Sequence, residues 1–293
     1  MAPSDDSKIQ ELHKSFEKEG IAHEFLWVLK ETQDPAQITK ILERRKAGEP
    51  LAYIQGHWSF WNLELAVGPG VLIPRPETEE LAENIFQKIK AKSRFYPRWN
   101  IVDCGAGSGC LGLAIAHELL EQNVLLSEVL SLTLVEQSQE ALPYLKKNVE
   151  ALLLKFPSMK SQIHIVEGSW NAWSPSEPVQ VFLSNPPYIS GQEGKNYDAS
   201  KDDADSEVRA FEPHEALYPK DLEQFPDASG PYRELLRLAS MTMEVGGVAG
   251  FELGPAQAVW ICEFVRENFP TLRGKLAKDL AGKDRFFYFE RVA

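Results

Sequence analysis

Trp99-Asn100-Ile101-Val102-Asp103-Cys104 followed by Gly105-Ala106-Gly107-Ser108-Gly109 is the stretch that decides the fold. The first six residues read as a strand, and the glycine turn behind them opens a helix over 110–121. A strand running into such a turn marks the ligand-binding corner of an open parallel sheet, at a strand's C-terminal end beside the topological switch. Glycines let a ligand approach the backbone with no side chain in the way. Outward from this corner the chain alternates. Further candidate strands are Ser131–Glu136, Gln162–Val166, Val179–Ser184, Val248–Leu253, Lys275–Leu280 and Phe286–Arg291, with helical runs at 138–154, 231–243 and 255–269. The alternation predicts an α/β fold with a mostly parallel sheet covered on both faces.

Upstream the pattern differs. Residues 8 to about 48 read as helical, with Ile21, Phe25, Leu26 and Leu29, then Ile38, Ile41 and Leu42, near helical spacing. Asp34-Pro35 is a helix start, and Arg44-Arg45-Lys46 before Gly48 suits a helix C-terminus. Between 51 and 73, Tyr53, Trp58, Phe60, Trp61, Leu63, Leu65 and Val67 suggest two short strands in a linking hairpin. Leu72-Ile73-Pro74-Arg75-Pro76-Glu77 is a stiff entry to a helix over about 77–90. Residues 191–212 are polar and acidic and read as a long loop.

Bulk properties exclude several classes. The 293 residues are 43% apolar and 25% charged, ordinary for a globular chain, and no run of apolar residues is long enough for a membrane span. Forty-three acids against 31 bases give a net charge of -12, which disfavours the broad basic surface that grips nucleic acid and favours a basic protein partner. The three cysteines, Cys104, Cys110 and Cys262, form no C-x-x-C pair, so no metal site is expected and they read as buried reduced thiols. Met1 to Asp6 is polar and acidic, unlike a secretory or mitochondrial leader.

The spacing G-x-G-x-G differs from the G-x-G-x-x-G of pyrophosphate-binding turns. It suits S-adenosylmethionine, which carries no phosphate; Asp103 ahead of the turn can face the positive end of that cofactor. Glu136 ends the second strand, where it can accept hydrogen bonds from ribose hydroxyls. Trp170 follows the third strand, and two readings stand for it: an adenine-stacking ring or a core tryptophan.

Asn185-Pro186-Pro187-Tyr188 leaves the fourth strand, expected beside the first. A planar amide or amine nitrogen is a poor nucleophile because its lone pair is delocalised. Methylating it requires the NH2 group to be fixed with the lone pair aimed at the methyl group. Asn185 can accept one N–H through its side-chain oxygen and the Pro186 carbonyl the other. Pro187 stiffens the turn, and Tyr188 can pack against the planar group.

With these residues the chain resembles the HemK/PrmC family, the protein N5-glutamine methyltransferases acting on peptide-chain release factors. Gly48-Glu49-Pro50-Leu51-Ala52-Tyr53-Ile54, Leu72 to Glu79, Val208-Arg209-Ala210-Phe211-Glu212-Pro213 and Asp279 to Arg285 carry the likeness beyond the two motifs. The resemblance implies a seven-stranded, Rossmann-like class I methyltransferase domain over 74–293. Ahead of it come a small N-terminal helical substrate-docking domain over 1–50 and a β-hairpin linker over 51–73. It implies cofactor contacts from Asp103, Gly105, Ala106, Gly107, Ser108, Gly109, Glu136, Trp170 and Asn185. The loop Asn185, Pro186, Pro187 and Tyr188 would hold the glutamine of a Gly-Gly-Gln motif. A monomer is expected, in the mitochondrion or alternatively the cytoplasm, with a release factor as partner and neither DNA nor membrane. The chain departs from the family in Cys104 and Ala106 within the turn, in Glu136 where many bacterial members have Asp, in a shorter helical region and in a longer 191–212 loop. That loop reads as solvated, or as facing a basic release factor.

Three other functions compete. An adenine-N6 methyltransferase of nucleic acid uses the same four-residue loop, but the acidic charge and the absence of a recognisable duplex grip count against it. A methyltransferase-fold binding partner without catalysis is opposed by intact Asn185, Gly105, Gly107 and Glu136. A nucleotide-dependent oxidoreductase is opposed by the position of the third glycine.

Overall fold

The computed structural model describes residues 5–191 and 210–293, and the chain divides into two compact units, 1–57 with 199–211 and 58–198 with 212–293. Most of the acidic 191–212 stretch, including Val208 and Arg209, lies outside the described residues.

The first unit holds helices α1 (Asp5–Lys18), α2 (Ala22–Glu31), α3 (Pro35–Lys46) and α4 (Leu51–Gln55). Their apolar faces meet in a core of Phe16, Phe25, Val28, Ile38, Leu42 and Leu51. Asp34 caps α3 as its position predicts, its Oδ1 accepting the Ala36 N–H at 3.0 Å. The basic cluster does more than complement a dipole. Arg45 is buried and forks onto Glu24 at 2.7 and 2.9 Å, so the last turn of α3 is pinned to α2. Tyr53, expected in a strand, lies in α4. Pro50 stands at that helix's N-terminus, and Gly56 in the left-handed region (φ 80°) ends it. The hairpin is correspondingly shorter than 51–73: it comprises only β1 (His57–Phe60) and β2 (Leu63–Ala66).

The second unit contains α5 (Pro76–Lys92), β3 (Trp99–Cys104), α6 (Cys110–Glu121), β4 (Leu130–Glu136), α7 (Leu142–Lys155), β5 (Ile163–Glu167) and β6 (Val179–Ser184). It continues with α8 (His214–Leu217), α9 (Gly230–Thr242), β7 (Met243–Glu252), α10 (Pro255–Ala258), α11 (Ile261–Asn268), β8 (Leu272–Lys278) and β9 (Asp284–Arg291). Seven strands lie in the order β5-β4-β3-β6-β7-β9-β8. The first five run parallel; β9 is antiparallel to both β7 and β8. One face packs Leu81, Ile85 and Ile89 of α5, Leu113 of α6 and Leu145 of α7 against Ile101, Leu132 and Val181. The other packs Leu235 and Leu236 of α9 and Ile261 and Val265 of α11 against Val102, Phe182, Phe251 and Phe287. The alternating strand–helix reading therefore holds, including the strands at 99–104 and 179–184 residue for residue.

Two helix boundaries move. The run expected from 138 begins at Leu142, because Ser138 is held in the preceding turn, its N–H bonded to Glu136 and its Oγ accepting from Ala141. The run expected over 255–269 is broken into α10 and α11. Of the thiols, Cys104 is buried but Cys262 is exposed, since α11 turns Ile261 and Val265 inward and leaves position 262 outside.

Gly109 caps α6 with φ 83°, and a Cβ there would stand 2.6 Å from Leu113 Cδ1 and 2.7 Å from Leu145 Cδ1. Gly282 has a similar φ of 79° but open space around it. Gly109→Ala is expected to cost about 2–4 kcal/mol, a left-handed penalty plus overpacking, and Gly282→Ala about 1–2 kcal/mol. Urea unfolding of the two variants measures the difference; equal losses would remove the packing contribution.

Candidate active site

Parallel pairing brings the ends of β4, β3 and β6 to one edge, with Cys104 opposite both Val135 and Ser184. The Ser184 hydroxyl donates to the Cys104 carbonyl at 2.6 Å, which holds the start of the 185–188 loop against the glycine turn. The N–H groups of Gly105 and Ala106 both donate to the Val135 carbonyl, at 2.9 and 3.0 Å. Gly105 and Gly107 have φ of 73° and 56°, which the turn requires and other residues resist.

A cavity opens over this turn. Of the residues singled out in the sequence, Asp103, Gly105, Ala106, Gly107, Ser108, Glu136, Trp170, Asn185 and Pro187 line it. Three do not. A Cβ on Gly109 would meet Leu113 and Leu145, so packing by itself calls for glycine there. Pro186 is buried behind the loop, and Tyr188 reaches sideways to Glu252.

Glu136 is buried and grips the turn. Its Oε2 accepts the Gly107 N–H at 2.7 Å and its Oε1 the Ser138 N–H at 2.6 Å. Burial pushes its pKa up, against these backbone donors. Asp103 is also buried, with Oδ2 accepting the Gly112 N–H at 2.9 Å at the first turn of α6. Burial, with a smaller push from Glu136, raises the Asp103 carboxyl to about 7, while the Gly112 hydrogen bond opposes the shift. Trp170 packs in the core with Val102, Cys104 and Val135, as one of its two readings has it, and it also lines the cavity beside Gly105. Its Nε1 donates to Glu234 at 3.3 Å.

Several residues of the site were not singled out one by one in the sequence: Arg75, Thr78 and Glu212 lie in segments that carry the family likeness, and Asn148 and Glu252 lie in none of those segments. Asn148 on α7 donates to the carbonyls of Ser108 and Ala66, at 2.8 and 3.1 Å, and so braces the turn from behind. Arg75 forms an ion pair with buried Glu212, whose other oxygen accepts the Ile73 N–H at 3.2 Å. This pair ties the segment entering α5 to the segment entering α8, and both border the cavity. Thr78, on the first turn of α5, and Glu252, at the end of β7, are fully buried beside the 185–188 loop. Glu252 accepts the Thr78 hydroxyl at 2.6 Å and the Tyr188 hydroxyl at 3.3 Å, and Thr78 Oγ1 in turn accepts from Asn185 Nδ2 at 3.3 Å. An acid closing an apolar strand, as Glu252 closes Val248 to Phe251, is the signal that could have marked it; a charge in that position needs buried partners.

The cavity fits a cationic ligand. Arg75 is paired with Glu212, which leaves Glu136, Glu215 and Asp103, the last raised to about 7, as the other acidic and basic side chains of the lining. The Ser108 hydroxyl, on the same wall, is buried without a hydrogen-bond partner in the protein, and Gly107 leaves the backbone open to a ligand. Among the described residues, no group of three or more His, Cys, Asp or Glu could hold a metal ion, and no helix is long and apolar enough to cross a membrane.

Comparison with known proteins agrees with this geometry. The family described as "Methyltransferase small domain" matches residues 81–202. The release factor glutamine methyltransferase of Rhodopirellula baltica is 30% identical over 282 residues, covering 96% of this chain and 84% of the relative. That of Thermodesulfovibrio yellowstonii is 31% identical, covering 87% and 81%. Among solved structures, the hMettl16 catalytic domain in complex with the MAT2A 3′UTR hairpin 1 shares the fold, with a TM-score of 0.50 at 16% identity over 78% of this chain and 74% of that one.

The raised Asp103 pKa gives a pH dependence. The folded chain holds this proton more tightly than the unfolded chain, so the contribution is complete below pH 3.8 and is lost as pH rises to about 7. Across that window wild type should lose up to about 4 kcal/mol relative to Asp103→Asn, which does not titrate. Denaturant unfolding of both proteins against pH reads this directly, and parallel curves would contradict it.

Proposed function

The chain belongs to the release factor glutamine methyltransferase family, and from that premise we propose how its site works: a methyl group passes from S-adenosylmethionine to the side-chain amide nitrogen of a glutamine in a peptide-chain release factor. The glutamine is that of a Gly-Gly-Gln motif. The observation that carries this reading is the Asn185 carboxamide. It lies at the end of β6, on the same cavity as the glycine turn, with its NH2 group already committed to Thr78. Its oxygen is therefore the atom available to a substrate N–H.

When bound, S-adenosylmethionine supplies an electrophilic methyl group on a positively charged sulfur. Gly105 to Ser108 and Glu136 would hold this cofactor and Trp170 would flank it, while Asp103 accepts the Gly112 N–H beside the turn. Asn185 Oδ1 would accept one N–H of the glutamine amide; the other falls to the Pro186 carbonyl, which a glutamine would reach only beyond the present lining of the cavity. Pro186 and Pro187 keep that carbonyl in place at low entropic cost. With both N–H groups fixed, the nitrogen lone pair faces the methyl group, and orientation supplies the rate. No strong base is needed, because the nitrogen releases its proton readily once it has gained a fourth bond. Arg75, held by Glu212, and the segment entering α8 wall the cavity and limit water.

In the same reading, residues 1–50 dock the release factor, 51–73 link and 74–293 carry the reaction. Exposed Leu26 and Trp27 on α2 offer the docking helices an apolar surface. The relatives named above come from bacteria, which supports release factors of the bacterial type as substrates, in a mitochondrion or alternatively a cytoplasm.

Mass spectrometry of release factors incubated with the chain and methyl-labelled cofactor tests the reading. A gain of one methyl group on the glutamine of Gly-Gly-Gln is expected, and transfer to adenine in an oligonucleotide instead would overturn it. Asn185→Ala should lower transfer at least about 100-fold while cofactor affinity changes little, as for loss of a group needed to align the nucleophile. Substantial residual transfer would remove the role assigned to that side chain.

A further inference from the structure

We propose that Glu252 and Thr78 are positioning residues, and that the buried acid sets the orientation of the Asn185 carboxamide through the Thr78 hydroxyl. The inference rests on the reading of Asn185 as the acceptor of the substrate NH2 group.

Glu252 is 1% exposed and Thr78 is 0% exposed. A threonine hydroxyl has a single proton. At 2.6 Å from Glu252 Oε2 that proton belongs to the carboxylate, the stronger acceptor. The Thr78 oxygen then faces Asn185 only as an acceptor. The Asn185 carboxamide must answer with its NH2 group, as the Nδ2 contact at 3.3 Å records. The flipped amide would set two oxygens against each other with no proton between them. The donor and acceptor pattern fixed at Glu252 is thus passed through one hydroxyl to Asn185 Oδ1.

The same carboxylate holds the other end of the loop. Its Oε1 accepts the Tyr188 hydroxyl at 3.3 Å, so Asn185 and Tyr188, with two prolines between them, hang from one acid. Sheet register makes this possible. Ser184 pairs with Phe251, which brings the residues after each, Asn185 and Glu252, to the same edge. Burial pushes the Glu252 carboxyl's pKa up; the Thr78 hydroxyl, Arg285 (itself paired with Asp279 at 3.4 Å) and the Tyr188 hydroxyl oppose that shift and favour the charged form.

Steady-state kinetics of the full chain with S-adenosylmethionine and a release factor test the relay, alongside calorimetric binding of S-adenosylmethionine. Thr78→Val keeps the side-chain shape and removes the hydroxyl. It should lower kcat roughly 10- to 100-fold, as for loss of a buried hydrogen bond that aligns a reacting group. Cofactor Kd should stay within about threefold, since these hydrogen bonds join Glu252, Thr78, Asn185 and Tyr188 and none of them is made to the glycine turn. Thr78→Ser restores the hydroxyl and should recover most of the lost kcat. A wild-type kcat in Thr78→Val, or equal losses in the Val and Ser variants, would overturn the relay. Should Thr78→Val not fold, Glu252→Gln carries the test. Its amide can donate toward Thr78 and reverse the pattern, so kcat should fall with cofactor Kd retained, and full kcat would overturn the proposal. Asn185→Ala separates the two levels. If it is active, the reading of Asn185 fails; if it is inactive while Thr78→Val is fully active, only the relay fails.

Discussion

The site depends on the parallel pairing of β3 with β4 on one side and β6 on the other. In a parallel sheet every strand delivers its C-terminal end to the same edge, and the connections leaving neighbouring strands diverge where strand order reverses. Here that places the glycine turn after β3, Glu136 at the end of β4 and Asn185 just after β6 around one cavity. A one-residue slip in either pairing would turn Glu136 or Asn185 away from it. The apolar layers on both faces, built from α5, α6 and α7 and from α9 and α11, keep the register in place.

Buried acids then turn that geometry into chemistry. Glu136 holds Gly107 and Ser138, Asp103 holds Gly112, Glu212 holds Arg75 and Ile73, and Glu252 holds Thr78 and Tyr188. Each accepts hydrogen bonds that orient a segment, and each is costly to bury without them. Glu136 and Glu215, with Asp103 as it ionises above about pH 7, also give the cavity an acidic lining suited to a sulfonium ligand. The net charge of the chain, -12, adds a long-range field that favours a basic partner.

Much of this was legible in the sequence because it is written in local signals. The strand–glycine–helix corner at 99–121 and the apolar strand ahead of Asn185 need only neighbours in the chain. Most of what was missed depends on groups far apart in sequence. Nothing near Gly109 says that Leu145 will sit against it, and nothing near Arg45 says that Glu24 will meet it. Thr78 and Glu252 are 174 positions apart and carry no motif as a pair. Tyr53 failed for a different reason: a five-residue helix closed by Gly56 is too short to show a period.

The central claim is that Asn185 and the Pro186 carbonyl present a glutamine amide to a methyl donor seated on the glycine turn. The most direct measurement is a crystal structure of the chain with S-adenosylhomocysteine and a Gly-Gly-Gln peptide. The account predicts the glutamine amide nitrogen within hydrogen-bond distance of both Asn185 Oδ1 and the Pro186 carbonyl oxygen, facing the sulfur. A glutamine held elsewhere, or an Asn185 carboxamide turned with its nitrogen toward the peptide, would contradict it.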